Sequence, residues 1–315
     1  MISLKWKRGF EFNPGYTFES GQVFRWRKSE DDRHWTGIVS GNVISVNELR
    51  ANVLSKTETG TTSVTRCAET IHEYFSEREN LNEIISTFPK DELLTKATKK
   101  YSGLRLLTQD PWECLISFVC SINSNIPSIK FKIENLCRTF GEKIAADTIQ
   151  EAYSFPTPIS LARAEKSQLI ECKVGFRWKY IQHIAKKVES GELDLQYIRK
   201  LPYEKARAEL ISSESHITFG VGPKVADCVM LFSMSKSEAF PMDVWMNRCI
   251  SQYYFELVQD LFPNGKISFS GSRYFEAGNI MRRHFGKYAG YAQQYLYMYT
   301  RNNRRLFDEE SRLER

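Results

Sequence analysis

The sequence predicts a mostly helical α+β fold, with an antiparallel β N-terminal domain followed by a larger helical body. Two observations predict it. Up to about Thr65, aromatic and β-branched residues come in short runs that are separated by turn-forming residues. From about Cys67 onward, the apolar residues recur with the longer period of an amphipathic helix. We therefore expect an N-terminal domain over residues 1–100 and a helical domain over 101–315, whose last helix packs back near the N-terminal domain.

The first elements follow from local signals. Residues 21–46, "GQVFRWRKSEDDRHWTGIVSGNVISV", form the β-rich stretch, and its charged turn and "SGN" separate the strands. The turn-rich "TETGTT" then ends the β region. "CAETIHEYFSER" and "NLNEIISTF" are amphipathic helix candidates.

Two helix starts in the middle of the chain are sharply marked. In "QDPWECLISFVCSI", Asp110 is the expected cap, Pro111 takes the first helical position and Glu113 completes a capping box. "NSNIPSIKFKIENLCRTFG" begins a helix behind asparagines and ends it at Gly141. Further helices are predicted at "SLARAE", "FRWKYIQHIAKKVES" and "PYEKARAELISS", after Gly222, after Pro241 and around "YAGYAQQYLYMYT".

Composition excludes several classes of protein. The 315 residues carry a formal net charge of +6, which permits an anionic partner without requiring one. No apolar run is long enough to cross a bilayer and the N-terminus lacks the apolar segment of a signal peptide, so we expect an intracellular protein that is not secreted. The seven cysteines form no C-x-x-C pair and the five histidines are dispersed, so we expect no metal site built from protein side chains.

A hairpin over residues 216–224 separates two helical patterns. Gly220 and Gly222 suit a tight turn, and the backbone N–H groups that precede a helix make an anion site. An ordinary turn between two helices would use the same glycines. Lys224 stands in the first turn of the second helix, where the positive end of the helix dipole disfavours a cation. A neutral amine at this place would be a nucleophile.

Asp243 in "FPMDVWM" is the natural partner for such an amine. It precedes another helical pattern, and the dipole of that helix favours the ionised carboxylate. A neutral amine beside a carboxylate equips a site for substitution at a sugar carbon through a cationic transition state. Taken separately, a first-turn lysine and an aspartate cap are more often structural.

The chain resembles the helix–hairpin–helix (HhH-GPD) superfamily of DNA glycosylases, and most closely its eukaryotic-type 8-oxoguanine DNA glycosylases. The resemblance extends over most of the chain. It is carried, in order, by "SGQVFRW", "LLTQDPWECLISFVCSINSNI", "GFRWKY", "GVGPKVADC" and "YAGYAQ". It implies that Lys224 attacks the anomeric carbon and holds the sugar as a Schiff base, that Asp243 stabilises the sugar cation, and that elimination then nicks the strand.

The resemblance also implies a recognition site for the damaged base. The Gly21 carbonyl would accept the N7 hydrogen that 8-oxoguanine has and guanine lacks, and Gln293 would contact the Watson–Crick edge. Cys228 and Tyr297 would stack on the base, with Phe232 a further turn along the helix. Core packing is the commoner fate of a Phe such as Phe232.

On the DNA side, the resemblance implies that Asn123 fills the gap left by the extruded base. Phe176 would act as a wedge and Arg177 would face the orphaned base. The implied DNA contacts are Asn123, Asn125, Phe176, Arg177, Gly220, Gly222 and Trp245. Without the resemblance, Phe176 would be expected in the core and Arg177 on a solvated face.

Four departures from the family pattern stand out: Trp245 for histidine, Ser128 for arginine, Thr218–Phe219 for Leu-Pro and Tyr297 for phenylalanine. Ser128 leads us to expect loose discrimination of the base opposite the lesion. The implied partner is double-stranded DNA containing 8-oxoguanine. We expect the protein to bind it as a monomer and to have no membrane partner. No cofactor is required, although the hairpin carbonyls could hold a monovalent or calcium ion.

Two other classes of DNA glycosylase fit the residues less well. An iron–sulfur glycosylase of the endonuclease III type needs four clustered cysteines near the C-terminus, and the last cysteine here is Cys249. A monofunctional glycosylase for alkylated bases would lack the lysine. A helix–hairpin–helix glycosylase for a different damaged base and a DNA-binding module without catalysis remain the alternatives.

Overall fold

A computed structural model describes residues 2–30, 32–55, 61–145, 151–211, 219–263 and 267–304. The predicted fold class is confirmed: one antiparallel sheet lies at the N-terminal end, and the rest of the described chain is helical. Among the described residues, no helix has both the length and the apolar character needed to span a membrane.

The sheet has five strands in the order β1-β5-β4-β3-β2, with antiparallel neighbours throughout. A two-residue turn at Ser40 and Gly41 joins β3 to β4, and both residues have positive φ, as the twist of a tight hairpin requires. The strands are β1 (Ile2–Lys5), β2 (Arg27–Lys28), β3 (Trp35–Val39), β4 (Asn42–Val46) and β5 (Arg50–Val53).

The β prediction for residues 21–26 is wrong. A short helix, Pro14–Phe18, comes first, and strand β2 begins only at Arg27. Gly21 has a left-handed φ of +78° that no strand adopts. The Gln22 side chain anchors this stretch by donating to the carbonyl oxygens of Thr17 (3.1 Å) and Arg105 (2.8 Å).

The helical elements follow in sequence. The first eight helices are α1 (Pro14–Phe18), α2 (Thr61–Tyr74), α3 (Leu81–Ser86), α4 (Glu92–Lys100), α5 (Pro111–Cys120), α6 (Ile126–Phe140), α7 (Pro158–Ala162) and α8 (Lys166–Glu171). The others are α9 (Trp178–Glu189), α10 (Leu195–Lys200), α11 (Tyr203–Ile211), α12 (Pro223–Ser233), α13 (Val244–Tyr253), α14 (Phe255–Val258), α15 (Ser272–Phe285) and α16 (Ala289–Asn302). The sequence patterns did not predict α1, α4, α8, α10, α14 or α15. Helix α15 follows Gly271 with no side-chain cap to mark its start, whereas Asp91 and Asp194 cap α4 and α10.

The two marked helix starts are found where predicted, with one correction. Asp110 caps α5 by accepting from the Glu113 N–H (2.9 Å), and Asn125 caps α6 by accepting from the Ser128 N–H (2.9 Å). Glu113 does not complete the expected capping box. Its carboxylate lies 3.0 Å from Arg25, because a cation on the N-terminal segment competes for it.

Two clusters of buried apolar residues form the core. The smaller one lies between the sheet, α1 and α2, and the larger one joins most of the other helices. Helices α3 and α4 contribute Leu81, Ile84 and Leu94 to the larger cluster, although both lie within residues 1–100. The boundary at residue 100 stays a prediction.

The last helix lies against the segment that carries Gly21. Gln294 on α16 donates to the Ser20 carbonyl oxygen (2.7 Å), and Arg301 at its end donates to the Glu19 carbonyl oxygen (2.6 Å). Residues from the two ends of the chain therefore meet beside the start of α12.

Candidate active site

Lys224 lies in the first turn of α12, as predicted. Gly222 is the N-cap residue and Pro223 takes the first helical position. The half-buried Lys224 side chain places its Nζ 3.2 Å from the Ser121 Oγ and 5.1 Å from the centre of the Phe118 ring. Both contacts come from α5 and its C-terminal end, so this helix positions the amine.

The two hairpin glycines serve different purposes. Gly220 has φ +96°, and a Cβ there would lie 2.3 Å from the Tyr180 Cγ, so the position requires glycine. Gly222 has φ −84° and ψ 174°, which is extended backbone, and a Cβ there would meet nothing within 4 Å. The sequence analysis was wrong to give Gly222 the same turn role. Residues 216–218 of the predicted hairpin lie outside the described residues.

Asp243 is the N-cap residue of α13. Its carboxylate accepts from the N–H groups of Trp245 and Met246, each at 3.0 Å. Burial nevertheless raises the pKa of Asp243, and these N–H groups together with Lys224 oppose the rise only in part. The sequence analysis considered only the helix dipole, whereas desolvation acts in the opposite direction and prevails.

Lys224 and Asp243 line one cavity of about 710 Å³. The cavity lies between α5, α12, α16 and the segment around Gly21. The predicted site residues that line it are Gly21, Asn125, Lys224, Cys228, Phe232, Asp243, Trp245, Gln293 and Tyr297. All five predicted base-recognition residues are thus brought together with the predicted nucleophile.

One polar atom in this cavity has no partner. The buried Gln293 donates through Nε2 to the Pro241 carbonyl oxygen (3.1 Å), which fixes the orientation of the amide. Its Oε1 has no hydrogen-bond partner among the residues that the structure describes. Since buried polar atoms are rarely left unsatisfied, the Gln293 Oε1 is placed to accept a hydrogen bond from a ligand.

The other walls are apolar or close-fitting. Burial raises the pKa of Cys228 to about 12, so this side chain is a neutral thiol at physiological pH. Phe232 packs against Phe118 with ring centres 5.5 Å apart and nearly parallel planes. At Gly21 a Cβ would lie 3.0 Å from the Tyr297 hydroxyl oxygen, so a larger residue would crowd this wall.

A second cavity of about 770 Å³ adjoins the first and shares with it Ser121, Ser124, Lys224, Asp243 and Val244. Asn123, Gly220 and Gly222 line this second cavity. Asn123 is exposed and has a left-handed φ of +48°, which few residues other than glycine adopt but asparagine tolerates.

Phe176 and Arg177 line neither cavity. Phe176 is 49% exposed and meets Tyr180 edge to face, so core packing does not explain it. Arg177 is 6% exposed, and its guanidinium donates to the carbonyl oxygens of Ile122, Asn123 and Val174. It therefore does not belong to a solvated face; it supports the loop that carries Asn123.

Trp245 stands at the mouth of the first cavity. The guanidinium carbons of Arg248 and Arg304 lie over its ring, 4.8 Å and 4.9 Å from the centre. A guanidinium that stacks on an indole can still use its N–H groups for phosphate. This position thus carries positive charge although the family histidine is absent.

Sequence reasoning missed several supporting residues. Asp227 is buried and accepts from Tyr203 (2.8 Å), Tyr274 (2.9 Å) and Arg207 (3.1 Å). It lies within the "GVGPKVADC" motif, which was the one available signal. Ser121 likewise lies within a quoted motif, "LLTQDPWECLISFVCSINSNI", whereas Arg301 gave no local signal, because its contact depends on a residue far away in the sequence.

The described side chains were also compared with what a metal site requires. No group of three or more His, Cys, Asp or Glu residues there is arranged to hold an ion. The carbonyl site for a monovalent or calcium ion involves a hairpin of which residues 216–218 are not described, so that ion stays a prediction.

Comparison with known proteins identifies both halves of the chain. Residues 7–115 match the N-terminal domain of 8-oxoguanine DNA glycosylase, and residues 116–259 match the HhH-GPD superfamily of base excision DNA repair proteins. A probable N-glycosylase/DNA lyase of Methanothermobacter thermautotrophicus is 31% identical over 239 residues, which cover 69% of this chain and 70% of that protein.

A further related sequence and a solved structure are similar to this chain. An N-glycosylase/DNA lyase of Saccharomyces cerevisiae is 36% identical over 177 residues, which cover 53% of this chain and only 45% of the yeast protein. The solved structure of the Clostridium acetobutylicum 8-oxoguanine glycosylase/lyase with double-stranded DNA containing cytosine opposite 8-oxoG superimposes with a TM-score of 0.80 and 31% identity, covering 96% of this chain and 99% of that one.

The first-turn lysine and the capping aspartate on one cavity, in a chain whose residues 116–259 match the HhH-GPD superfamily, define a base excision repair glycosylase of the helix–hairpin–helix class. Within that class, the chain belongs to the OGG1-type 8-oxoguanine DNA glycosylase family. The predicted family is confirmed.

Proposed function

We propose that this chain is a bifunctional DNA glycosylase and AP lyase that removes 8-oxoguanine from duplex DNA during base excision repair. One observation carries the proposal: Lys224 and Asp243, at the starts of two different helices, line the same cavity as Gly21, Cys228 and Gln293. Family membership and the names of the relatives support the same activity.

The reaction proceeds in three steps. The Lys224 amine attacks C1′ of the damaged nucleotide while the bond from C1′ to the base N9 breaks, and Asp243 stabilises the positive charge that develops on the sugar. The base leaves with the bonding electron pair and takes up a proton. The sugar ring then opens to a Schiff base on Lys224, loss of a C2′ proton expels the 3′ phosphate, and water releases the enzyme.

Recognition of the base uses the difference at N7. Guanine has a lone pair there and 8-oxoguanine has a hydrogen, so a carbonyl oxygen at Gly21 attracts the lesion and repels the normal base. The unpartnered Gln293 Oε1 accepts a hydrogen bond from the Watson–Crick edge. Cys228 and Tyr297 enclose the ring, and such stacking contributes about 1–3 kcal/mol per base.

The partner is double-stranded DNA containing 8-oxoguanine, which reaches the cavity only after the base has been extruded. The net charge of +6 favours this anionic partner. We infer a monomer that works in the compartment that holds the DNA, and a reaction that needs no cofactor because the Lys224 amine supplies the chemistry.

The test of the nucleophile is Lys224→Gln. We expect the variant to form no covalent adduct with lesion DNA in the presence of borohydride, because no amine is left to make a Schiff base. Binding should stay within about tenfold of the parent protein, since phosphate contacts supply most of the affinity. If the variant still releases the base at the normal rate, the nucleophile is misassigned.

The damaged base is tested with a panel of duplexes. Each duplex carries one 8-oxoguanine or one alkylated adenine opposite each of the four bases. We expect release of 8-oxoguanine and trapping by borohydride. Release of the alkylated adenine without trapping would instead support a monofunctional glycosylase for a different lesion, and binding without release would support a DNA-binding module.

A further inference from the structure

A buried lysine outside the proposed catalytic pair lies behind the loop that links α5 to α6. Lys132 on α6 is only 5% exposed. Its Nζ donates to the Ser124 Oγ (2.6 Å), the Ser128 Oγ (2.5 Å) and the Ser128 carbonyl oxygen (3.3 Å). The ammonium group thus directs all three of its donors at neutral oxygens.

This placement is unfavourable for a cation. Burial and the neighbouring Arg177 guanidinium both lower the pKa of Lys132. An apolar residue of similar volume would avoid the desolvation cost, so stability alone does not explain a lysine at this position. The explanation has to lie in what the ammonium holds.

Lys132 holds the loop of residues 121–124. This loop bears on both parts of the proposed reaction, the chemistry at Lys224 and the extrusion of the base. Ser121 at its beginning accepts from the Lys224 amine (3.2 Å), and Asn123 projects from it with a left-handed backbone. Arg177 binds the backbone of the loop through the Ile122 carbonyl oxygen (2.9 Å) and the Asn123 carbonyl oxygen (3.2 Å). Lys132 binds its last residue, Ser124, so two buried side chains together hold residues 122–124.

Lys132 also sets the direction of one hydroxyl group. Ser124 lines both cavities, at their junction beside Lys224. An ammonium group can only donate, so the Ser124 oxygen must accept from it. The Ser124 hydroxyl hydrogen is then left to donate to another acceptor, and an oxygen of the DNA backbone at the extruded nucleotide is the acceptor that this junction would meet.

We propose that Lys132 is a positioning residue for base extrusion: acting through Ser124, it holds the loop so that Asn123 can occupy the vacated stack and the Ser124 hydroxyl can donate to the DNA. The inference rests on the proposed function. It assigns a role to a buried lysine that contacts neither Lys224 nor Asp243.

The test separates extrusion from chemistry. Single-turnover base release is measured on a duplex with 8-oxoguanine, and strand cleavage is measured on the same duplex with a preformed abasic site, which leaves no damaged base to extrude. We expect Lys132→Met to slow base release about tenfold and to change abasic-site cleavage by less than about threefold, a tenfold change being a difference of 1.36 kcal/mol in the barrier.

Two further variants test the route through Ser124. Ser124→Ala should slow base release as Lys132→Met does. The double variant should be no slower than Lys132→Met alone, because both changes remove the same hydrogen bond between Lys132 and Ser124. Lys90→Met removes an equal charge from an exposed site that lines neither cavity, and it should match the parent protein.

Three results would overturn the inference. These are an equal slowing of both reactions by Lys132→Met, no slowing of base release, and a double variant whose losses multiply. A loss of unfolding free energy in Lys132→Met that accompanies equal slowing would indicate a purely structural lysine. Failure of the proposed function would differ from all of these, because the parent protein itself would then release no base.

Discussion

At the scale of single residues, the carboxylate of Asp243 is subject to opposed influences. The N–H groups of Trp245 and Met246 and the charge of Lys224 favour its ionised form, whereas burial disfavours it. The net effect is a raised pKa. The same enclosure that strengthens the action of Asp243 on a sugar cation therefore makes the carboxylate easier to protonate.

This balance predicts the pH dependence of base release. A protonated Asp243 cannot stabilise a cation, so the rate should fall as the pH drops through the raised pKa, and the acid limb should lie above the ordinary value of 3.8. The position of this acid limb is measured from the rate of single-turnover base release across the acid pH range. Asp243→Asn should lower the rate and remove this limb, whereas a limb at or below 3.8 in the parent protein would contradict the assignment.

At the scale of elements, the site is built where two helices begin. Helices α12 and α13 direct their N-terminal ends toward the two adjoining cavities, and residues from both ends line them. Unpaired N–H groups at such ends attract anions. The hairpin before α12 is held in place by the close approach of Gly220 to Tyr180.

The two hairpin glycines give a matched pair of variants. Gly220→Ala would place a Cβ 2.3 Å from Tyr180 at a φ of +96°, so we expect a loss of about 1–3 kcal/mol in unfolding free energy and weaker DNA binding. Gly222→Ala meets nothing within 4 Å at a negative φ and should stay within about 0.5 kcal/mol of the parent protein. Denaturant unfolding measures both, and equal losses would contradict the role given to Tyr180.

At the scale of the whole molecule, the base-recognition wall depends on contacts between the two ends of the chain. Gln22 joins the N-terminal segment to the residues that precede α5: its Oε1 accepts from the Leu107 N–H (2.8 Å), and its own carbonyl oxygen accepts from Gln109 (2.8 Å). Gln294 on α16 reaches Ser20 from the other side. Gly21 is thus held between the N-terminal domain and the helical body.

Gln22→Leu tests this arrangement. The change leaves the buried Leu107 N–H and Arg105 carbonyl oxygen without their side-chain partner, at about 1–3 kcal/mol for each unsatisfied group. We expect a clear fall in unfolding free energy and a loss of preference for 8-oxoguanine over guanine, because Gly21 is no longer fixed. Arg50→Gln, an exposed change on the sheet, is the control. Unchanged base preference would show that Gly21 is held by other contacts.

The sequence by itself determined the local features of this protein. Asp110 and Asn125 mark helix starts through bonds to residues three positions away, and Pro223 marks one because it takes the first helical position. Lys224 and Asp243 could be selected because Lys224 stands in a first turn and Asp243 caps one. The five motifs in order identified the family. Helix α15 carries no such signal in its first turn, whereas α4 and α10 were missed although Asp91 and Asp194 cap them.

Only the tertiary structure decided how these features combine. Arg177 is buried under the Asn123 loop, Glu113 turns to Arg25, and burial raises the pKa of Asp243, none of which follows from neighbouring residues. Each depends on groups that are distant in the sequence and become neighbours only when the chain packs. Desolvation and hydrogen bonding across such distances depend on the packed environment, whereas caps and turns depend on residues three or four positions apart.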